Sequence, residues 1–258
     1  MRVVVCVKVV PDTTEPKRLG DQHALVRSGV QGAVNPMDDY ALEVALKWKD
    51  AQPDLDVVVL TMGPDDARAI IKKCLAKGAD RAVLVSDAAL AGTDAIGTAR
   101  VLAAAIRKIG DVDAVLCGVR SSDGESAVVG PAVAELLDLP QLTTCKEADL
   151  DASARTVTAN REVDGALEVA RAGLPALLTV TKASFEPRLA NFKGIQAANK
   201  KEILGWTTAD LGIAPPARQV LVTAAGEPPQ RPASQVLTGT AAEVAQKLAQ
   251  YLTEQKLV

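Results

Sequence analysis

Short β-branched apolar runs alternate with longer amphipathic stretches through the first half of this chain, and few folds accommodate that alternation. Val3–Val9, Asp56–Thr61, Ala82–Val85 and Ala114–Cys117 read as strands, whereas Asp38–Asp50, Asp65–Lys77, Thr93–Ile109 and a stretch near Ala127–Leu137 carry helical periodicity. The strands lack clean alternation of apolar and polar residues, which is expected where helices cover both faces of a parallel sheet. The pattern predicts a mostly parallel, doubly wound, Rossmann-like α/β sheet, with any ligand at the carboxyl ends of the strands. Those ends are polar: Val10-Pro11-Asp12, Met62-Gly63-Pro64-Asp65, and a long loop after Cys117. Asn35-Pro36-Met37-Asp38 opens the first helix, with Asn or Asp expected as its cap.

Past Leu139 the pattern changes. Thr156–Glu162 and Ala166–Ala170 flank an Asp164-Gly165 turn and predict a β-hairpin, followed by a central strand at Ala176–Thr181, so the sheet becomes mixed. From Gly205 onward Pro215, Pro216, Pro228, Pro229 and Pro232 interrupt packing, and a final amphipathic helix runs from Ala241 to about Glu254. The expected division is an α/β domain over 1–204 and an extended C-terminal arm over 205–258. Such an arm buries little surface alone, which favours a strap around another subunit over a tail folded back on its own domain.

The segment L-C-G-V-R-S-S-D-G-E-S-A-V-V-G-P-A-V-A-E-L-L, from Leu116 to Leu137, is a buried strand leading into a polar loop and then a helix. Ser121, Ser122 and Ser126 offer hydroxyls, Gly118 and Gly124 offer adaptable backbone, and the new helix offers unpaired N–H groups at its positive end. A nucleotide phosphate fits there. The same residues also read as an ordinary crossover with an Asp123-Gly124 turn, and the loop alone does not choose between the two.

Composition removes several function classes. The net charge is −3 and aromatic residues make up 2 %, so neither a basic face nor a base-stacking platform for nucleic acid is implied. Cys6, Cys74, Cys117 and Cys145 have no metal or redox spacing and read as reduced core thiols. His23 is the only histidine, so a multi-histidine metal site is excluded and a histidine-based triad could pass only through that residue. The chain starts directly into its first strand with no leader pattern, and its apolar runs fall short of the roughly 20 residues a membrane span needs. The expectation is a cytoplasmic protein without direct membrane insertion.

V-C-V-K-V-V-P-D at Val5–Asp12, N-P-M-D-D-Y-A-L-E-V-A-L at Asn35–Leu46, M-G-P at Met62–Pro64, K-G-A-D-R-A at Lys77–Ala82 and the S-S-D-G loop together resemble the small (beta) subunit of electron transfer flavoproteins. R-E-V-D-G-A-L-E-V-A-R-A-G-L-P-A-L-L-T at Arg161–Thr179 fits the family's signature, and F-E-P-R-L-A-N-F-K-G-I at Phe185–Ile195 is similar to its partner-docking loop. The resemblance implies pairing with an alpha subunit whose carboxy-terminal domain holds a redox FAD. The heterodimer would carry electrons from an acyl-CoA or similar dehydrogenase to a quinone reductase or another acceptor. It further implies an adenine-nucleotide pocket at Cys6, Asn35, Pro36, Met37, Asp38, Met62, Gly118, Arg120, Ser121, Ser122, Asp123, Gly124, Glu125, Ser126, Ala127, Val128 and Val129.

Members of the family hold AMP there as a structural ligand, or a second FAD that takes hydride from NADH in the bifurcating members. The loop R-S-S-D-G-E-S-A-V-V-G-P stands closer to the flavin-holding subgroup. Asp123 and Glu125 would repel a phosphate set against them, so they are expected to point away or to cap a helix. For docking, the resemblance nominates Glu186, Pro187, Arg188 and above all Phe192 as the apolar anchor, with a core position as the other reading of Phe192. Only Lys200 and Lys201 remain of the family's Lys-rich run, so electrostatic steering should be weaker. No side chain is expected to act as general acid, base or nucleophile, because a carrier supplies binding and electrostatics to its cofactor. Two rivals stand beside this reading. One is a stand-alone nucleotide-binding regulatory module. The other is an adenylating or ATP-cleaving enzyme, which would want a compact Gly-rich signature near the first strand.

Overall fold

The computed structural model describes the chain except for residues 21, 22, 28, 184, 227, 228 and 230–233. The elements run β1 (Arg2–Cys6), β2 (Val9–Pro11), β3 (Gly32–Val34), α1 (Pro36–Ala51), β4 (Asp56–Met62), α2 (Ala67–Lys77), β5 (Arg81–Val85), α3 (Ala95–Ile109), β6 (Ala114–Gly118), α4 (Val129–Leu137), β7 (Gln141–Asp151), β8 (Thr156–Val163), β9 (Ala166–Gly173), β10 (Ala176–Val180), α5 (Phe192–Ala198), β11 (Ile203–Trp206) and α6 (Ala241–Glu254). Among the described residues the main sheet has nine strands in the order β11-β5-β4-β1-β6-β10-β7-β8-β9. Pairing is parallel from β11 to β7 and antiparallel for β7–β8 and β8–β9. The expected mixed, doubly wound sheet is therefore present.

The apolar runs sort by parity. Val3, Val5, Val57, Val59, Leu116 and Leu178 pack with α1 and α2 on one face, whereas Val4, Val58, Leu60, Val115 and Leu177 pack with α3 and α4 on the other. Burying each Val or Leu fully contributes about 1.5–3 kcal/mol, so the central strands hold the two helical layers together. Both faces are covered, which is why the strand sequences read as continuous apolar runs. All four cysteines are buried and free. The 164–165 turn of the hairpin carries positive φ at both Asp164 (50°) and Gly165 (79°), the geometry that a two-residue type I′ turn demands.

Several elements differ from the expectation. The run Val3–Val9 is two strands: β1 ends at Cys6, and β2 leaves to pair with β3 in a separate two-stranded ribbon. Helix α4 starts at Val129, two residues after the expected Ala127. β7, β11 and α5 lie in stretches the periodicity had left unassigned.

The C-terminal arm divides in two. β11 joins the sheet beside β5, and the compact α/β unit extends to Thr223, with Ala224–Val258 a second unit. Within the first unit, residues after β11 fold back on α3. Asp94 caps that helix through the Gly97 N–H (2.7 Å), and its second oxygen accepts from the N–H groups of Gln219 (2.6 Å) and Val220 (2.8 Å). In the second unit α6 is opened by a capping box between Thr240 and Glu243, and none of its residues is buried. Pro228 and Pro232 of the expected arm lie outside the described residues.

Candidate nucleotide site at the carboxyl edge of the sheet

The chain winds from β1 outward through β4 to β5, then returns to the other side of β1 at β6. Strand order thus reverses between β1 and β6, and the crevice above their carboxyl ends is where open α/β sheets take ligands. Cys6 and Cys117 are register partners at those ends. Met62 closes β4 one strand away, and the amino ends of α1 and α4 converge on the same edge through the loops that follow β2–β3 and β6.

Asn35 was expected to cap α1, and it occupies the N-cap position without a side-chain cap bond. Its amide has another task. Nδ2 donates to the Arg120 carbonyl (2.9 Å), and Oδ1 accepts from the Ser122 N–H (3.0 Å). A residue 1 % exposed thereby pins the start of the polar loop. Pro36 supplies the fixed φ suited to the first helical turn, where its missing N–H costs nothing.

Asp38 lies in the first turn of α1 and is 6 % exposed. Its carboxylate accepts from the Lys8 N–H (2.7 Å), just past β1, and from the Gly118 N–H (3.0 Å), at the end of β6. One side chain therefore joins the two strands at the switch point. Burial raises its pKa to about 7, against the opposing effect of the hydrogen bonds from Lys8, Asn35 and Gly118. Gly118 makes the approach possible, since a Cβ there would stand 2.3 Å from Asp38 Oδ1 and 2.7 Å from the Asp38 nitrogen.

The loop after β6 is tied down by cations that the sequence reading did not single out. Lys8 Nζ reaches Asp123 Oδ1 (2.7 Å) and Ser121 Oγ (3.3 Å); Arg27 reaches Asp123 Oδ2 through Nε (2.9 Å) and Nη2 (2.7 Å); Lys17 Nζ donates to the Ser122 carbonyl (2.6 Å). The Asp123 side chain is 1 % exposed. Burial works to raise its pKa, but Lys8, Ser121 and Arg27 prevail and hold the carboxyl well below its usual range. Glu125 instead faces solvent beside Arg120 (3.3 Å). Neither carboxylate caps α4, whose N-cap is Val128 without a side-chain bond. That leaves the first-turn N–H groups of Val129 and Gly130 without intrahelical partners beside exposed Ser126 and Ala127. Glu125 (φ 52°) and Ala127 (φ 55°) are both left-handed, so the backbone turns sharply as it enters the helix.

The donor set suits an anion such as a phosphate: the Ser126 hydroxyl and a helix N-terminus, with cations nearby and buried side chains that fix the loop. Concavities of about 240 Å³, lined by Ile106, Ala114, Leu139 and Pro175 among others, and about 520 Å³, beside Gln52 and Arg155, lie at the amino ends of the strands and lack such convergence. Lys8 could have been found as a charge interrupting an apolar strand. Lys17 and Arg27 sit in the excursion between β2 and β3, where no periodicity flags them.

The docking residues nominated from sequence occupy the segment between β10 and β11. Phe192 opens α5 and is 74 % exposed, so the core reading of it falls away; Leu189, not singled out, is 88 % exposed. Arg188 lies against α1 through Glu43, exposed Glu186 accepts from the Tyr40 hydroxyl of the same helix, and Pro187 is half-buried between them. Lys201 donates to the Leu75 and Ala79 carbonyls at the end of α2, leaving Lys200 as the exposed member of the pair. Among the described residues no helix is long and apolar enough to cross a membrane.

A family model described as the electron transfer flavoprotein domain matches residues 22–211. The caffeyl-CoA reductase-Etf complex subunit CarD of Acetobacterium woodii is 37% identical over the whole of both chains. The electron transfer flavoprotein subunit beta of Megasphaera elsdenii is 40% identical over 79% of this chain and 77% of its own, and the protein FixA of Rhizobium meliloti is 39% identical over 84% and 76%. The sheet, the switch-point loop and these matches agree, and the chain belongs to the electron transfer flavoprotein family, on its beta-subunit side.

Proposed function

We propose that this chain is the small half of a heterodimeric electron carrier that binds an adenine nucleotide above β1 and β6, joins an alpha subunit holding FAD, and receives electrons from a dehydrogenase docked on the β10–β11 segment. The observation that carries the nucleotide reading is the loop 118–129. Asn35, Asp38 and Asp123 are all engaged with protein groups, which leaves exposed Ser126 and the first-turn N–H of half-buried Val129 for phosphate. Adenine and ribose would lie against backbone near Cys6 and Asn35, with Met62 at the margin. A flavin bound here would supply one- and two-electron redox chemistry; the chain's own residues bind it, orient it and set the local field.

The occupant is FAD or AMP, and the loop sequence favours FAD. A second reading, membership of an NADH-dependent bifurcating assembly, gains from the full-length match to a subunit of a complex named for a CoA-ester reductase. In this proposal α6, amphipathic and without a buried residue, is the part of the arm that wraps the alpha subunit. The setting is the cytoplasm, with a quinone reductase or another acceptor downstream.

Co-expression with the alpha subunit, release of bound nucleotides by denaturation, and a count per heterodimer test the proposal. One FAD with one AMP means a simple carrier. Two FAD and no AMP mean NADH-linked bifurcation. No flavin, or no heterodimer on sizing, removes the carrier reading in favour of a stand-alone nucleotide-binding module.

A further inference from the structure

The segment 185–201 is held at two places and projects between them. Upstream, Arg188 lies across α1: Nε and Nη2 stand 2.9 Å from Glu43 Oε2 and Oε1, and the Arg188 backbone N–H adds a bond to Glu43 Oε2 (3.0 Å). Nη2 and Nη1 also reach Asp50 Oδ2 (2.6 Å) and Oδ1 (3.3 Å). The Glu43 side chain is 6 % exposed. The Tyr40 hydroxyl donates to Glu186 (3.2 Å), and Lys47 Nζ sits 3.3 Å over the Phe185 ring. Downstream, α5 is seated on α2. Gly194 lies so close that a Cβ would fall 2.1 Å from the Ala76 carbonyl oxygen, Asn191 caps α5 through the Gly194 N–H (2.8 Å), and Lys201 is tied to the end of α2. Between these anchorages Leu189 and Phe192 stand 88 % and 74 % exposed, with Ile195 at 50 %.

We propose that Arg188 is a positioning residue: clamped by Glu43 and Asp50, it fixes the direction in which Leu189 and Phe192 project, so that the docking surface is organised before a partner arrives. This rests on the docking reading given above. Arg188 is poorly placed to be a partner contact itself. Its guanidinium is already engaged by two carboxylates, which hold its pKa above the usual arginine value through hydrogen bonds to Asp50 and Glu43, and a fork matched to both is costly to redirect. A surface anchor binds better when its ordering is completed in the free protein, because less freedom is lost on association. Removing the clamp leaves the anchor present but unaimed.

The test uses the heterodimer with its alpha subunit and follows FAD reduction by an acyl-CoA dehydrogenase at increasing dehydrogenase concentration. Arg188→Ala is expected to raise KM for the dehydrogenase about tenfold, to leave kcat at saturation within about twofold, and to leave nucleotide content unchanged. Combined with Phe192→Ala its effect should be clearly less than additive, because both variants lose the Phe192 contact and only the aim of Leu189 remains to be lost. Arg188→Lys, which keeps the charge but not the fork, falls between. Asp50→Asn, at a surface position, raises KM about twofold and guards against a folding failure of the stronger variants. Amide exchange across 186–198 should quicken in Arg188→Ala and Arg188→Lys whatever dehydrogenase is used. Unchanged exchange overturns the inference. So does an unchanged KM in the Arg188 and Asp50 variants while Phe192→Ala raises it, an outcome that leaves docking intact. Full additivity with Phe192→Ala would make Arg188 a direct contact and overturns it as well. A KM unmoved by all of these variants, Phe192→Ala included, removes the docking reading and this inference together.

Discussion

At its amino end α1 presents Asn35 and Asp38, both buried and both bonded to backbone of neighbouring elements; from its second turn to its carboxyl end it presents Tyr40, Glu43 and Asp50 to a segment that then exposes Leu189 and Phe192. The two regions share a scaffold and differ in what they leave open. At the switch point Asn35, Asp38 and Asp123 are consumed in shaping backbone, and the Ser126 residue beside the start of α4 is left exposed, a position suited to an anion. At the β10–β11 segment Arg188 and Lys201 are consumed in holding a loop, and the large apolar side chains of Leu189 and Phe192 stand exposed among surface charges such as Lys193 and Lys200. Polar groups in buried positions thus serve geometry in both places, while the groups left accessible differ in chemistry.

Substitutions can break this contrast from either end. The largest effect belongs to Gly118→Ala, which drives a methyl into Asp38 and the α1 backbone and should cost about 3 kcal/mol. A thermal scan of the heterodimer should show the loss together with depleted nucleotide, and an unchanged Tm would mean that Asp38 is free to move. Asp38→Asn comes next, at about 2 kcal/mol, because an amide cannot accept from both the Lys8 and the Gly118 N–H groups.

The same variant carries a pH signature. With its folded pKa raised from 3.8 to about 7, Asp38 binds a proton more readily in the folded than in the unfolded chain. Stability therefore falls as pH rises from about 4 to 7, by up to about 1.4 kcal/mol per unit. Asp123 and Asp113, together with Asp56, Asp87, Asp94, Asp151, Asp210 and Glu243, have lowered pKa values and act in the opposite sense as pH drops below about 5, so the Asp38 effect stands clear of them between about pH 5 and 7. Asp38→Asn should flatten the slope between about pH 5 and 7 in denaturant titrations. A slope that survives the substitution would show Asp38 ionised throughout.

On the docking side Phe192→Ala should weaken dehydrogenase binding about tenfold while leaving nucleotide content and Tm unchanged, the reverse of the Gly118 pattern. Loss of nucleotide in that variant would erase the distinction between the two regions. The smallest effect is expected for Arg27→Ala. Its pair with Asp123 is half exposed on the arginine side, so stability should change by less than about 1 kcal/mol, with the loss of nucleotide affinity shrinking as salt is added.

The parallel half of the sheet was legible because β1, β4, β5 and β6 are buried on both faces and write that burial as unbroken Val, Leu and Ala runs. β7 was not. A bulge after Cys145 breaks its register with β8, its outward residues are charged, and Q-L-T-T-C-K-E-A-D-L-D shows no steady period. β11 has four residues with a glycine, and α5 has seven with another, too short for periodicity to register. At the site, the loop glycines, serines and Asn35–Asp38 were visible because their residue types are diagnostic. The roles of Asn35 and Asp38 were not, since a capping side chain and one that reaches across to another strand look alike in one dimension. Lys17 and Arg27 depend wholly on how the β2–β3 excursion folds over the loop, which no local pattern encodes.

The carboxylate of Asp94 has a consequence for how the chain can be shortened. One of its oxygens closes the amino end of α3 and the other catches Gln219 and Val220, so the stretch after β11 belongs to the α/β unit rather than to a detachable tail. A chain ended beyond Thr223 keeps that clasp and should still fold, having lost only the unit that contains α6. One ended before Gln219 would leave half of Asp94 without partners, and one ended before Pro216 would also uncover α3 beside Gly97, where Pro216 now packs. The boundary between the α/β unit and the unit that carries α6 therefore runs through the proline-rich segment itself, about twenty residues after the last strand of the sheet.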